Sequence, residues 1–283
     1  MSATSGRLVL VGTPIGNLGD MSPRAVDALR TADIVMAEDT RHSRKLFTHF
    51  EIPVEGRLVS GHAHNEMNRV GEVLDAVGAG KTVVYISDAG MPAIQDPGAL
   101  LVAACAEAGL AVEVVPGPSA LLAGLVLSGL PTGRFVFEGF LERKGLDRQQ
   151  RLVAIAEEAR TVIFYEAPHR LAALVDDLCS VCGEDRPIAL ARELTKLHEA
   201  VWRGTAGDAR AMLVDHPARG EYVVIVGPKP VVPRMVTDDE IVAALQSAFA
   251  SGASARDAAA AAATALGVPK RRAYDLAVGV RRA

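Results

Sequence analysis

Ser87-Asp-Ala-Gly-Met-Pro-Ala-Ile-Gln-Asp-Pro-Gly98 is the stretch on which the reading of the fold turns. It follows the apolar run Thr82–Ile86 directly and carries two carboxylates among two glycines and two prolines. A short apolar run closed by Gly and Pro reads as a buried strand ending in a stiff turn. In an open α/β sheet, ligands bind outside the carboxyl ends of the strands, where such turns leave backbone N–H and C=O groups unpaired. Two further turns have the same character. Gly12-Thr-Pro-Ile-Gly-Asn17 follows the apolar run Arg7–Gly12, and Pro116-Gly-Pro-Ser-Ala120 follows Ala111–Val115. Three Gly/Pro turns at strand ends predict one shared ligand site.

Outward from these turns, the first half alternates strand and helix patterns. Ser22-Pro23 reads as the cap and first position of a helix running to about Ala32. Asp33–Ala37 and Leu58–Ser60 are further apolar runs, and residues 40–50, 65–77 and 98–108 have helical spacing. Strand–helix alternation predicts a largely parallel sheet covered on both faces. In the second half, residues 135–137, 161–165, 187–190, 201–204 and 222–226 read as strands. Residues 148–158, 169–181 and 206–215 read as helices. The close spacing of the late strands predicts antiparallel pairing in a mixed sheet. Pro228-Lys-Pro-Val-Val-Pro233 reads as an extended linker. Beyond it, helices over 238–249, 254–266 and 270–280 resemble a helix-turn-helix module. The expected fold is α/β: two αβα domains, 1–117 and 118–230, with a cleft between them, and a small all-helical domain, 234–283.

Composition narrows the class. At 49% hydrophobic and 23% charged, the 283 residues have the profile of a soluble globular protein. No apolar run approaches the roughly 20 residues that span a bilayer, and the first residues do not have the pattern of a signal peptide, so a cytoplasmic location is expected. Three cysteines imply no disulfide framework, and Cys179 and Cys182 share a helix face. The net charge of −4 is uneven: residues 234–283 hold seven Lys/Arg against five Asp/Glu, so the acidic excess lies in the rest of the chain. No phosphate-binding G-x-x-x-x-G-K-[ST], no dinucleotide G-x-G-x-x-G after the first strand and no G-x-S-x-G elbow occurs.

Several clusters carry chemistry. Glu38-Asp-Thr-Arg41 follows a strand, and its acids suit either proton exchange or capping of the next helix. His62-Ala-His64-Asn-Glu66, with Asp88, admits a metal-dependent hydrolase. The stretch 139–148 holds Arg143, Lys144 and Arg148 beside Phe140 and suits an anion or RNA. Tyr165-Glu-Ala-Pro-His-Arg170 and Ala191-Arg-Glu-Leu-Thr-Lys196 also follow strands. Tyr165 suits stacking on a planar ring, and Glu166 suits bonding to a hydroxyl or amine.

In order along the chain, the blocks at 12–18, 37–41, 87–92, 116–120, 128–132, 165–170 and 191–196 resemble the bacterial ribosomal RNA small subunit methyltransferase I group of the tetrapyrrole methylase superfamily. The resemblance covers nearly the whole chain. It implies S-adenosyl-L-methionine folded into the cleft between two αβα domains, usually a homodimer, and 2′-O-methylation of a cytidine ribose in small-subunit (16S) ribosomal RNA. No resident metal is implied. Two positions depart from the group: Met91 stands where Thr is usual, and Glu142 where Pro is usual.

On this reading the cofactor is held by Gly12, Pro14, Ile15, Asp88, Gly90, Met91, Ser119, Ala120, Tyr165 and Ala191. A general base should assist the weakly nucleophilic hydroxyl, with Asp39, His62 and Glu166 as candidates. Arg41, Arg44, Lys45, Arg143, Lys144 and Arg148 are the expected phosphate contacts. Two other readings are a methylase of a small tetrapyrrole-like substrate and the metal-dependent hydrolase on His62, His64, Glu66 and Asp88.

Overall fold

The computed structural model describes residues 6–63, 65–230 and 236–280. It contains two compact units, Met1–Pro230 and Val231–Ala283.

The larger unit holds two five-stranded sheets. The first is built from β1 (Arg7–Val11), β2 (Ile34–Ala37), β3 (Leu58–Ser60), β4 (Thr82–Ile86) and β5 (Ala111–Val115). These strands lie in the order β3-β2-β4-β1-β5, all parallel. The connecting helices are α1 (Pro23–Thr31), α2 (Thr40–His49), α3 (Glu66–Gly78) and α4 (Ala99–Glu107). Ser22 accepts from the Ala25 amide at 3.2 Å and Pro23 takes the first helical position, as the sequence predicts. One face of the sheet packs Val9, Val11, Val35 and Val84 against Leu29 and Phe47. The other packs Leu8, Leu10, Val83 and Tyr85 against Val73, Val77 and Leu101. Burial on both faces explains why β1 and β4 read as unbroken apolar runs.

The strand order decides where a ligand can sit. β4, β1 and β5 are neighbours, so the three Gly/Pro turns leave adjacent carboxyl ends. They also interlock. Thr13 and Gly90 exchange backbone bonds at 2.8 and 3.1 Å, and the Gly12 amide donates to Val115 at 3.0 Å.

A helix with no periodic signal follows, α5 (Ala120–Ser128). The second sheet comprises β6 (Phe135–Gly139), β7 (Thr161–Glu166), β8 (Pro187–Arg192), β9 (Ala200–Thr205) and β10 (Tyr222–Val226). Its order is β6-β7-β10-β8-β9; β6 and β7 are parallel and the remaining pairs antiparallel. α6 (Leu146–Glu157), α7 (Pro168–Cys182) and α8 (Ala206–Asp215) belong to this half. They build a core of Leu152, Leu171, Leu174 and Leu178 on Phe164, Leu190 and Val224. α5 covers the opposite face, where Leu125 meets Ile163, Val223 and Ile225. The helix approaches so closely that a Cβ at Gly124 would lie 2.9 Å from Val223 Cγ1. Cys179 and Cys182 of α7 are free thiols.

The smaller unit is three helices, α9 (Asp238–Ala250), α10 (Ala255–Leu266) and α11 (Lys270–Val280). Thr237 and Glu240 form a reciprocal cap on α9, and Ser254 caps α10. Alanines 258, 259, 262, 263, 273 and 277 pack around Ile241 and Leu245. Arg272 bonds Asp238 at 2.6 Å and ties α11 to α9.

Candidate functional site

A cavity of about 500 Å³ opens in the larger unit where the turns of the first sheet meet the second sheet. That volume suits a small ligand or cofactor. Ile15, Gly90, Met91, Ser119 and Ala120 contribute from the interlocked turns. Phe140, Tyr165, Ala191, Leu194 and Val223 form the wall from the second half.

The turns are held by packing that leaves almost no free space. A Cβ at Gly12 would lie 2.7 Å from the Gly117 Cα, and one at Gly117 would lie 2.8 Å from the Gly12 backbone. The Gly117 amide donates to Met91 Sδ at 3.3 Å. Ser119 accepts from Leu122 at the start of α5, and the Tyr165 hydroxyl accepts from the Leu121 amide at 3.1 Å. Tyr165 is packed edge-on against Phe137 and Phe140, with ring centroids 5.0 and 5.6 Å away. Its ring is thereby fixed at the cavity wall.

Polar groups enter at a few points. Glu166 is 2% exposed; one carboxylate oxygen accepts from the Ala167 amide at 2.9 Å and pairs with Arg170 at 3.2 Å. Its other oxygen, Oε2, is buried and has no hydrogen-bond partner among the described residues. A buried acceptor left open at a cavity points to a ligand donor, since an unmade bond there is costly. Lys196 reaches the cavity while bonded to Glu193 at 2.9 Å and Glu221 at 2.8 Å. Burial pulls its ammonium pKa down, but the bonds to Glu221 and Glu193 outweigh that and raise it, so it stays a cation.

Asp96 also lines the cavity. Burial first, then the nearby Glu38 carboxylate, pushes its carboxyl up to about 6, against a hydrogen bond from Ser87. Glu38 is itself raised by burial, opposed by the Asp88 backbone amide.

Of the expected cofactor positions, Ile15, Gly90, Met91, Ser119, Ala120, Tyr165 and Ala191 line the cavity. Gly12 lies behind it, packed on Gly117. Asp88 turns toward β2 instead, accepting from the Asp39 amide at 3.1 Å. Pro14 is half-buried beside Ile15 and is not part of the lining.

Of the expected bases, only Glu166 faces the cavity. Asp39 caps α2, accepting from Arg41 at 2.8 Å and His42 at 3.4 Å. The bonds from Arg41, backbone first, hold its carboxyl below the usual range. His62 is half-buried after β3, its amide bonded to Asn65 Oδ1 at 2.8 Å.

Among the expected phosphate-binding cations, Arg41, Arg44, Lys45, Arg143 and Lys144 are exposed. Arg148 requires correction: it is 9% exposed, its Nε donates to Asp177 at 3.0 Å and its Nη1 donates to the Glu142 carbonyl at 2.6 Å. It is a structural cation joining α6, α7 and the loop before them. One member of the metal reading is otherwise engaged, and another, His64, falls outside the described residues. Buried Glu66 spends Oε1 on the amides of Gly98 at 2.8 Å and Leu100 at 3.0 Å. Among the described residues no three His, Cys, Asp or Glu side chains are grouped to hold a metal ion.

Lys196, Phe140 and Val223 are not among the site residues expected from sequence. Lys196 closes a block of mixed charge, Phe140 lies beside the basic run, and β10 is legible only as a strand. Asp96 stands in the turn after β4, but nothing local distinguishes it from Asp88.

The tetrapyrrole (corrin/porphyrin) methylase family model matches residues 7–210. The chain is 46% identical over 274 residues to ribosomal RNA small subunit methyltransferase I of Synechocystis sp., spanning 96% of this chain and 98% of that protein. It is 45% identical over 281 residues to the Mycobacterium bovis protein of the same name, spanning 99% and 97%. Among solved structures, the methyltransferase CobJ has a TM-score of 0.59 at 23% identity, covering 82% of this chain and 98% of that one. Uroporphyrin-III C-methyl transferase from Thermus thermophilus, complexed with S-adenyl homocysteine, has a TM-score of 0.55 at 20% identity, covering 78% and 97%. At these identities the two structures speak to the fold alone.

Proposed function

The chain belongs to the tetrapyrrole methylase family, and we propose that it transfers a methyl group from S-adenosyl-L-methionine to small-subunit ribosomal RNA, at the 2′-hydroxyl of a cytidine ribose. The observation that carries this reading is the likeness to ribosomal RNA small subunit methyltransferase I proteins, which runs through nearly the whole chain, C-terminal helices included.

The cavity fits such a cofactor. It has apolar walls from Ile15, Met91, Leu194 and Val223, and the open Glu166 Oε2 matches a hydroxyl or amine donor. Backbone groups of the turns at 12–15, 88–91 and 119–120 would hold the cofactor, with Tyr165 and Ala191 on the facing wall. When bound, the cofactor supplies a sulfonium-activated methyl group, so the protein's task is chiefly positioning. The interlocked turns provide that rigidity before any ligand arrives. Arg143 and Lys144, with Arg41, Arg44 and Lys45, are read as phosphate contacts.

Residues 1–117 and 118–230 are read as two domains sharing the cavity, and residues 234–283 as a module that widens the RNA footprint. Val114 of β5, Leu100 of α4 and Val126 of α5 are 52%, 45% and 72% exposed, and a homodimer would cover them. Among the described residues no helix is long and apolar enough to cross a membrane. A cytoplasmic location agrees with a ribosomal substrate.

The test is transfer of a tritiated methyl group to purified small ribosomal subunits, followed by mapping of the label. Label on a cytidine ribose is expected. Label on a base, or on a tetrapyrrole in preference to RNA, would replace the substrate named here.

A further inference from the structure

We propose that Asp96 is the proton acceptor for the substrate hydroxyl, held at the cavity by a strained turn wedged against the second sheet. This rests on the ribose-methylation reading and deepens it.

The turn is unusual in its backbone. Ala93 and Gln95 have φ of +68° and +66°, although neither is glycine. Such a conformation is costly for a residue with a side chain and persists only where the surroundings over-determine it. Three interactions do so here. The Ala93 amide donates to the Pro97 carbonyl at 3.1 Å and closes the turn. Buried Glu66 grips its far end through Gly98 and Leu100. The Gln95 side-chain amide lies over Gly139 at the end of β6, in the space a Cβ there would take. Asp96 is the carboxylate this arrangement presents to the cavity.

The charged and titratable groups around it are identifiable. Glu38 faces it from the end of β2 and Asp88 from the turn after β4. Tyr85 of β4 and Tyr165 of β7 sense its charge. Lys196, His169, Glu166 and Glu221 also line the cavity. Burial and Glu38 together leave the carboxyl near 6. At neutral pH such a group is ionised yet far more basic than an exposed carboxylate, which suits a general base. The other groups have different employment: Asp39 caps a helix, and Glu166 is paired with Arg170 through one oxygen while its open Oε2 is matched to the cofactor's hydroxyl or amine.

In the step, the hydroxyl proton passes to an Asp96 carboxylate oxygen. The hydroxyl oxygen forms its bond to the methyl carbon as the carbon–sulfur bond breaks, and that electron pair stays on sulfur. One negative and one positive charge disappear together, and Asp96 later returns its proton to water.

The experiment compares the full chain with Asp96→Asn and Asp96→Glu. Carbon-13 carboxyl resonances of aspartate-labelled protein give the Asp96 titration directly, and calorimetry gives S-adenosylmethionine affinity. The expected results are an Asp96 midpoint near 6, cofactor affinity of Asp96→Asn within threefold of the parent, and a 10²–10⁴-fold loss of transfer rate with loss of the acid limb. Asp96→Glu should recover part of the rate. A midpoint below about 4.5, or an Asn variant within threefold of the parental rate, overturns the assignment. If the parent binds cofactor yet leaves subunits unlabelled, the substrate reading fails on its own, whereas a midpoint below about 4.5 overturns Asp96 whatever the substrate.

Discussion

Met91 Sδ accepts the Gly117 amide at 3.3 Å, so a thioether joins the turn after β4 to the turn after β5. The same sulfur would lie 2.7 Å from a Cβ at Gly12, so it also fills the gap beside the turn after β1. One of the two residues that depart from the resembled family therefore occupies the junction of all three turns. Met91→Leu keeps the volume and removes the acceptor, leaving a half-buried amide unpaired. A loss of about 1 kcal/mol in denaturant unfolding is expected, with cofactor affinity reduced several-fold by calorimetry. Unchanged values for both would show that the sulfur acts only as filler.

The Asp96 environment sets a stability signature separate from catalysis. Its folded carboxyl is raised from the ordinary value of 3.8 to about 6. The protonated group therefore favours the fold below about 4, and that contribution is lost as pH rises through about 6. Asp96→Asn should melt higher than the parent at pH 8, by roughly 2–4 °C if solvent screening leaves about 1 kcal/mol of the effect. The difference should vanish by about pH 4. A constant difference across this range would contradict it.

Exposed and buried arginines of one basic run should separate cleanly. Arg143→Glu with Lys144→Glu should weaken binding to small-subunit RNA and flatten the salt dependence of log affinity by about 1 for each phosphate left without its cation. Melting temperature should stay within a degree or two. Arg148→Ala should do the reverse in kind, because it strands Asp177 and the Glu142 carbonyl. A stability loss of about 1–3 kcal/mol is expected there by chemical denaturation.

Ending the chain after Pro230 should leave a folded protein, since the larger unit has its own cores. Calorimetry should find cofactor binding retained, while RNA binding by filter retention falls. Equal RNA affinity with and without the helices would remove them from the footprint.

Much of the fold is legible in the sequence because local signals and tertiary burial agree. Ser22-Pro23 opens α1, Ser254 caps α10, and the apolar runs at 82–86 and 222–226 are the buried strands they resemble. α5 escapes such a reading because Ala-Leu-Leu-Ala-Gly-Leu-Val-Leu-Ser is apolar on every side and has no period to read. Arg148 reads as a surface cation from sequence because its partner Asp177 lies on α7, 29 residues away. The proximity of Glu38 to Asp96 depends on β2 pairing with β4, which spacing along the chain does not encode.

The backbone approach of Gly12 to Gly117 shapes how this molecule can diversify. Neither position admits even a methyl group without parting the two turns, so this part of the cradle is closed to mutational exploration. Phe140, Leu194 and Val223, on the opposite wall, meet no such restriction from that glycine pair. Directed evolution toward new acceptors should therefore accumulate changes on the second-sheet side while the two glycines stay invariant.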